Sequence, residues 1–143
     1  MLKHTLITTT AIFITGLLII PYAQAKHLYK EADYQQAWCK AHNGQTEVIL
    51  DDSTRVDCII DTHAIEFDFA PKWAESVGQS LYYSLKTNKK AGIVLIMENL
   101  DKDQYYLQRV VRLAKKHNID VWTMKDLQDF ESIAYKRRGL LRK

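Results

Sequence analysis

The most constraining feature of this chain is a pair of acidic residues that a short hairpin would set face to face. Along residues 55–60 (RVDCII), Val56, Cys58 and Ile60 fall on one face and Arg55, Asp57 and Ile59 on the other. Along residues 65–69 (IEFDF), Ile65, Phe67 and Phe69 share one face and Glu66 and Asp68 the other. Period two is the pattern of half-buried strands. A two-residue loop at Asp61-Thr62 would put Asp57 opposite Glu66, and Arg55 opposite Asp68 as an ion pair. Like charges opposed across a ladder cost about 0.2–1 kcal/mol. A cation held between Asp57 and Glu66 would offset that repulsion.

The rest of the chain supplies elements around this hairpin. Residues 29–42 read as a helix with Tyr34, Ala37, Trp38 and Ala41 on one side. Asn43-Gly44 ends it, glycine being the expected left-handed stop. Residues 46–50 read as a strand and 51–53 as a turn. Pro71 suits the start of a helix over 72–86, where its missing amide would be unpaired anyway. Trp73, Val77, Leu81 and Leu85 form that helix's apolar side. The continuous apolar run 91–97 fits a strand covered on both faces. A helix over 102–117, a strand over 120–124 and a short helix over 126–135 complete the series. The order predicts an α/β fold, a mixed central sheet flanked by helices with an αβββαβ core.

At 143 residues the chain has the length of one domain. Lys3 and His4, the apolar run 6–20 and Ala23-Gln24-Ala25 have the order of a secretory signal peptide over residues 1–25. That leaves a single domain over 26–143, exported to the periplasm or beyond and, after cleavage, not inserted in a membrane. An oxidising compartment makes Cys39 and Cys58 a disulfide pair, and two cysteines without a paired histidine motif make no zinc site. The formal charge is +3, or +2 once Lys3 leaves with the leader, which does not by itself argue for nucleic acid. The basic residues Lys136-Arg137-Arg138 and Arg142-Lys143 crowd the C-terminus.

Two carboxylates on one sheet face suit a hard divalent cation, Mg2+ or Mn2+, which binds one or two carboxylates plus waters and phosphate oxygens. Such an ion polarises a phosphodiester toward in-line attack. The following helix adds Lys72, Glu75, Gln79, Tyr82, Tyr83 and Lys86, at helical spacings that give one stripe. Lysine stabilises phosphate charge, glutamine orients water or phosphate, and Tyr82 and Tyr83 offer rings for nucleic-acid contact.

The order of elements, with V-D-C at 56–58, I-E-F-D at 65–68 and G-Q-S-L-Y-Y at 78–83, resembles the PD-(D/E)XK nuclease superfamily, of restriction-endonuclease-like fold. The glutamine and tyrosines of the helix look most like its exonuclease and Holliday-junction-resolvase branches. The resemblance spans residues 47–97. It implies magnesium ligands at Asp57 and Glu66, an assisting residue at Gln79, and nucleic acid as partner. Glu47 is a weaker match to a further acidic ligand. The family's E-x-K lysine is replaced by Asp68, and Lys72 on the next helix is the candidate to supply the missing ammonium. The sequence leaves two alternatives open: an inactive module of the same fold that binds nucleic acid or a protein, and a periplasmic protein whose acidic face binds calcium or nothing.

Overall fold

The computed structural model describes residues 27–130 and 132–136. The expected signal peptide, and the basic tail beyond Lys136, lie outside the described residues. Helix α1 (Glu31–Ala41) precedes β1 (Gln45–Ile49), β2 (Arg55–Ile59) and β3 (His63–Phe69). A single 3-10 turn leads into α2 (Trp73–Thr87), followed by β4 (Lys90–Ile96), α3 (Leu100–His117), β5 (Asp120–Met124) and β6 (Ile133–Tyr135). The six strands lie side by side in chain order. The pairs β1–β2, β2–β3 and β5–β6 are antiparallel, whereas β3–β4 and β4–β5 are parallel. The expected mixed α/β sheet is therefore present.

Side-chain alternation divides the core into two layers. Tyr34, Trp38 and Cys39 of α1 pack on Cys58, Ile65, Phe67, Val94, Ile96, Trp122 and Met124. Val77 of α2 and Val110 and Ala114 of α3 cover Ile93, Leu95 and Val121 on the opposite face. After Lys90 every residue of β4 is buried, as its apolar run implies for a strand covered on both sides. Among the described residues no helix is long and apolar enough to cross a membrane.

The disulfide Cys39–Cys58 joins α1 to β2, with both sulfurs in the α1-side core. The two cysteines are 19 residues apart, a loop whose closure is worth about 3 kcal/mol of chain entropy. The double change Cys39→Ala with Cys58→Ala is expected to lose about that much, read from urea denaturation midpoints. Where α1 ends, the left-handed residue is Asn43 (φ 55°), not Gly44. Gly44 is needed for space: a Cβ there would stand 2.6 Å from Cys39 Sγ and 2.8 Å from Cys58 Sγ. Overfilling a packed site typically costs about 1–3 kcal/mol. Gly44→Ala should lose that amount in oxidised protein, and less in the cysteine-free variant measured alongside, where Ile60 Cγ2 at 2.9 Å is the close contact that remains.

Three further expectations are corrected. Residues 126–130 and 132–135, the described part of 126–135, are a turn and a strand, not a helix. Asp126 Oδ1 accepts from Gln128 N (2.9 Å) and Asp129 Oδ2 from Lys125 N (3.3 Å), local bonds that compete with helix formation. Leu127 and Phe130, spaced as on a helix, close the α1-side core from this turn. Ile133 and Tyr135 then pair with Trp122 and Val121 and occupy the open edge of β5. Leu85, expected on the apolar side of α2, is 79% exposed, because past Leu81 it is Tyr83 that turns to the core. Val56 packs with Ala64 and Tyr83, not beside Cys58. The cause is a local departure from the β2–β3 ladder, described next.

Candidate functional site

The hairpin forms in the expected register. Ile60 N donates to His63 O across the Asp61-Thr62 loop, and Cys58 pairs with Ile65 and Ile59 with Ala64. At the next rung a side chain takes over from the backbone: Asp57 Oδ2 accepts the Phe67 N–H at 2.8 Å. This turns the Asp57 carboxylate in toward β3 and lets Val56 swing toward α2.

Asp57, Glu66 and Asp68 are 7%, 4% and 3% exposed, far more buried than carboxylates on an open sheet face. With Glu31, Arg55, Lys72, Glu75, Gln79 and Tyr83 they line a cleft of about 330 Å3. β2 and β3 supply its floor, the first turn of α1 supplies Glu31, and one side of α2 supplies its wall. Positions 72, 75, 79 and 83 recur at three and four, so a single helix face reaches the cleft from end to end.

Burial dominates the electrostatics. It pushes Glu66 well above the usual carboxylate range, and the adjacent Asp57 carboxylate pushes it further. Asp57 is raised too, against the lowering effect of the Phe67 amide. In the ion-free protein, repulsion from Asp57 favours a proton on Glu66. Burial raises Asp68 to about 7 even though Lys72 opposes it. Glu66 Oε2 is buried and, among the described residues, receives no hydrogen bond.

The charged partners differ from those expected. Arg55 does not reach Asp68; its guanidinium bonds Glu47 Oε2 at 2.8 Å on the neighbouring strand. That bond engages Glu47, which is not among the residues lining the cleft. Asp68 instead faces Lys72, Nζ to Oδ1 3.7 Å, one helical turn along the chain. The α2 stripe also divides. Gln79 and Tyr83 both face the cleft, one helical turn apart. Tyr82 bonds Asp52, and Lys86 pairs with Asp51 and Asp52 at the β1–β2 turn. Tyr83 is therefore a wall residue of the cleft, and Tyr82 braces a turn outside it.

Glu31 is the cleft residue that the sequence reading missed. Its half-buried carboxyl is raised by burial, and Lys72, Glu75 and Glu47 all act on it electrostatically. Only its place in the first turn of a helix was visible in sequence, and many helices begin with an acid.

A hard divalent ion fits these residues. Asp57 and Glu66 are oxygen donors, and Glu66 Oε2 is a buried acceptor without a donor. Among the described residues no group of three or more His, Cys, Asp or Glu converges as a ready-made metal cage. Two carboxylates, completed by water and phosphate, are nevertheless the usual protein share of a magnesium site. Compared with protein-family models, curated proteins and solved structures, the chain matches none.

Proposed function

We propose that this protein is a secreted or periplasmic nuclease, dependent on magnesium or manganese, that hydrolyses nucleic-acid phosphodiesters with a PD-(D/E)XK-type site on a restriction-endonuclease-like core. The observation that carries this reading is the buried, donorless Oε2 of Glu66 beside Asp57 in a cleft open to solvent. A buried acceptor left unsatisfied costs about 1–3 kcal/mol, more when charged. A cation would turn that cost into binding energy.

In this reading Asp57 and Glu66 hold the ion, and the Phe67 amide fixes the Asp57 carboxylate in place. The ion supplies Lewis-acid polarisation of a phosphoryl oxygen. Lys72, kept charged by Asp68, offers an ammonium to the phosphate and takes the part of the lysine that Asp68 replaces. Gln79, beside Tyr83 on the same wall as Lys72, orients water or a phosphate oxygen. Glu31 adds a carboxylate at the mouth of the cleft.

The Lys72–Asp68 pair also favours a second reading. A lysine engaged by its neighbour is less free for phosphate, as in an inactive module that binds nucleic acid or a protein. Incubation of the oxidised protein with supercoiled plasmid and with RNA separates the two. Nicking or degradation that requires magnesium or manganese and stops with EDTA supports the enzyme. Salt-dependent binding without cleavage under any of several divalent metals supports the module, and neither binding nor cleavage removes both.

A further inference from the structure

The outer face of α3 carries a basic, aromatic stripe outside the acidic cleft. Lys102, Tyr105, Arg109, Arg112 and Lys116 recur at steps of three and four and so share one side of the helix. All are exposed except Arg109, which is half-buried. Its guanidinium lies 4.1 Å from the Tyr105 ring centroid and 5.4 Å from that of Trp73. It also donates a hydrogen bond to the Tyr105 hydroxyl. Tyr105 is thus held in place, yet 58% exposed. No acid interrupts the stripe: Asp101 and Asp103 sit in the first turn, where Asp103 is buried and accepts from Asn99 N. Trp73 follows Lys72 directly, so the aromatic part of the stripe adjoins the cleft rim.

We propose that this stripe is a landing surface for a single nucleic-acid strand. A base stacks on Tyr105, while Lys102, Arg112 and Lys116 carry the phosphates and Lys72 receives the strand at the cleft. From Lys102 to Lys116 the helix rises about 21 Å, which suits the short end of single-strand sites, about four nucleotides. Aromatic rings interleaved with cations are what an unpaired strand needs, because its bases present free π-faces that a duplex keeps stacked. An anionic membrane would use the charges and leave the ordered Trp73–Arg109–Tyr105 stack without a role. The strand's destination rests on the nuclease reading; its binding needs neither metal nor cleavage.

The test is fluorescence anisotropy of a labelled oligodeoxythymidylate with the oxidised full chain in EDTA. Binding is expected, and should weaken steeply with salt. Tyr105→Ala should cost about tenfold in affinity. Tyr105→Phe, which keeps the ring and loses the bond to Arg109, should retain most of it. Arg112→Ala should lower the salt slope by about one. Wild-type binding that stays intact while no divalent metal supports cleavage counts against the nuclease reading alone. Affinity indifferent to both Tyr105→Ala and Arg112→Ala overturns the stripe, whatever the cleavage assay gives. Binding to phosphatidylglycerol vesicles but not to the oligonucleotide overturns it in favour of a membrane surface. Equal loss in Tyr105→Phe and Tyr105→Ala overturns the stacking role.

Discussion

Asp57→Asn and Glu66→Gln are each expected to reduce metal-dependent phosphodiester cleavage by about a thousandfold. Each removes one of two carboxylates from a site whose ion would contribute several kcal/mol to the transition state, at about 1.4 kcal/mol per factor of ten. Lys72→Ala should cost about a hundredfold, the lower range for losing one preorganised donor. Glu47→Gln and Tyr82→Phe should leave the rate within a few-fold, because Arg55 engages the first and the second braces the Asp51–Asp52 turn. Initial rates on an end-labelled strand with manganese give these numbers, and circular dichroism confirms that each variant is folded. Wild-type cleavage by Asp57→Asn or Glu66→Gln would remove that residue from the site. A rate unchanged in Lys72→Ala would mean that the replaced lysine has no successor here.

The second large effect is on stability without metal. An acid whose folded pKa lies above its unfolded value makes the folded state bind more protons than the unfolded one. Stability then falls as pH rises through the interval between the two. For Asp68 the interval runs from 3.8 to about 7. Glu66 and Asp57 are raised by the same cause and act with the same sign. His63, lowered by burial, acts oppositely below its ordinary 6.5. A comparison of wild type with Glu66→Gln cancels that histidine, since both proteins contain it. In EDTA the wild type should lose stability between about pH 5 and about pH 8, and Glu66→Gln should lose less. At neutral pH Glu66→Gln should be the more stable by about 2 kcal/mol, because the wild type must keep Glu66 protonated in the fold at a pH where the unfolded chain ionises it. Metal at about a hundredfold above its dissociation constant should return about 2.7 kcal/mol to the wild type and little to the mutant. Urea titrations across pH, with and without magnesium, measure all of this. A wild type whose stability is flat with pH and unmoved by metal would leave Glu66 as a buried acid with no ligand.

The hairpin was legible because two independent signals agreed. The period-two patterns on either side of Asp61-Thr62 and the length of that loop fix one register, and the structure adopts it. The disulfide was legible from compartment and cysteine count. Ion-pair partners were not, because Arg55 has acids on both neighbouring strands and only the course of β1 decides between Glu47 and Asp68. Glu47 itself adopts a left-handed backbone (φ 58°), a local kink that alternation does not encode. The strand β6 was hidden by Leu127 and Phe130, whose helical spacing comes from a turn that folds both onto the core. Glu31 was hidden because its partners in the cleft all lie more than twenty positions away along the chain.

The bond from the Phe67 amide to Asp57 places a reporter inside the cleft. A backbone proton that rests on a carboxylate feels every change in that group's charge. Its chemical shift should follow the protonation of Asp57, move again when a cation competes for the same oxygens, and do so without an attached probe group or a mutation. In a nitrogen-15 correlation spectrum the Phe67 peak should move apart from those of its neighbours in β3.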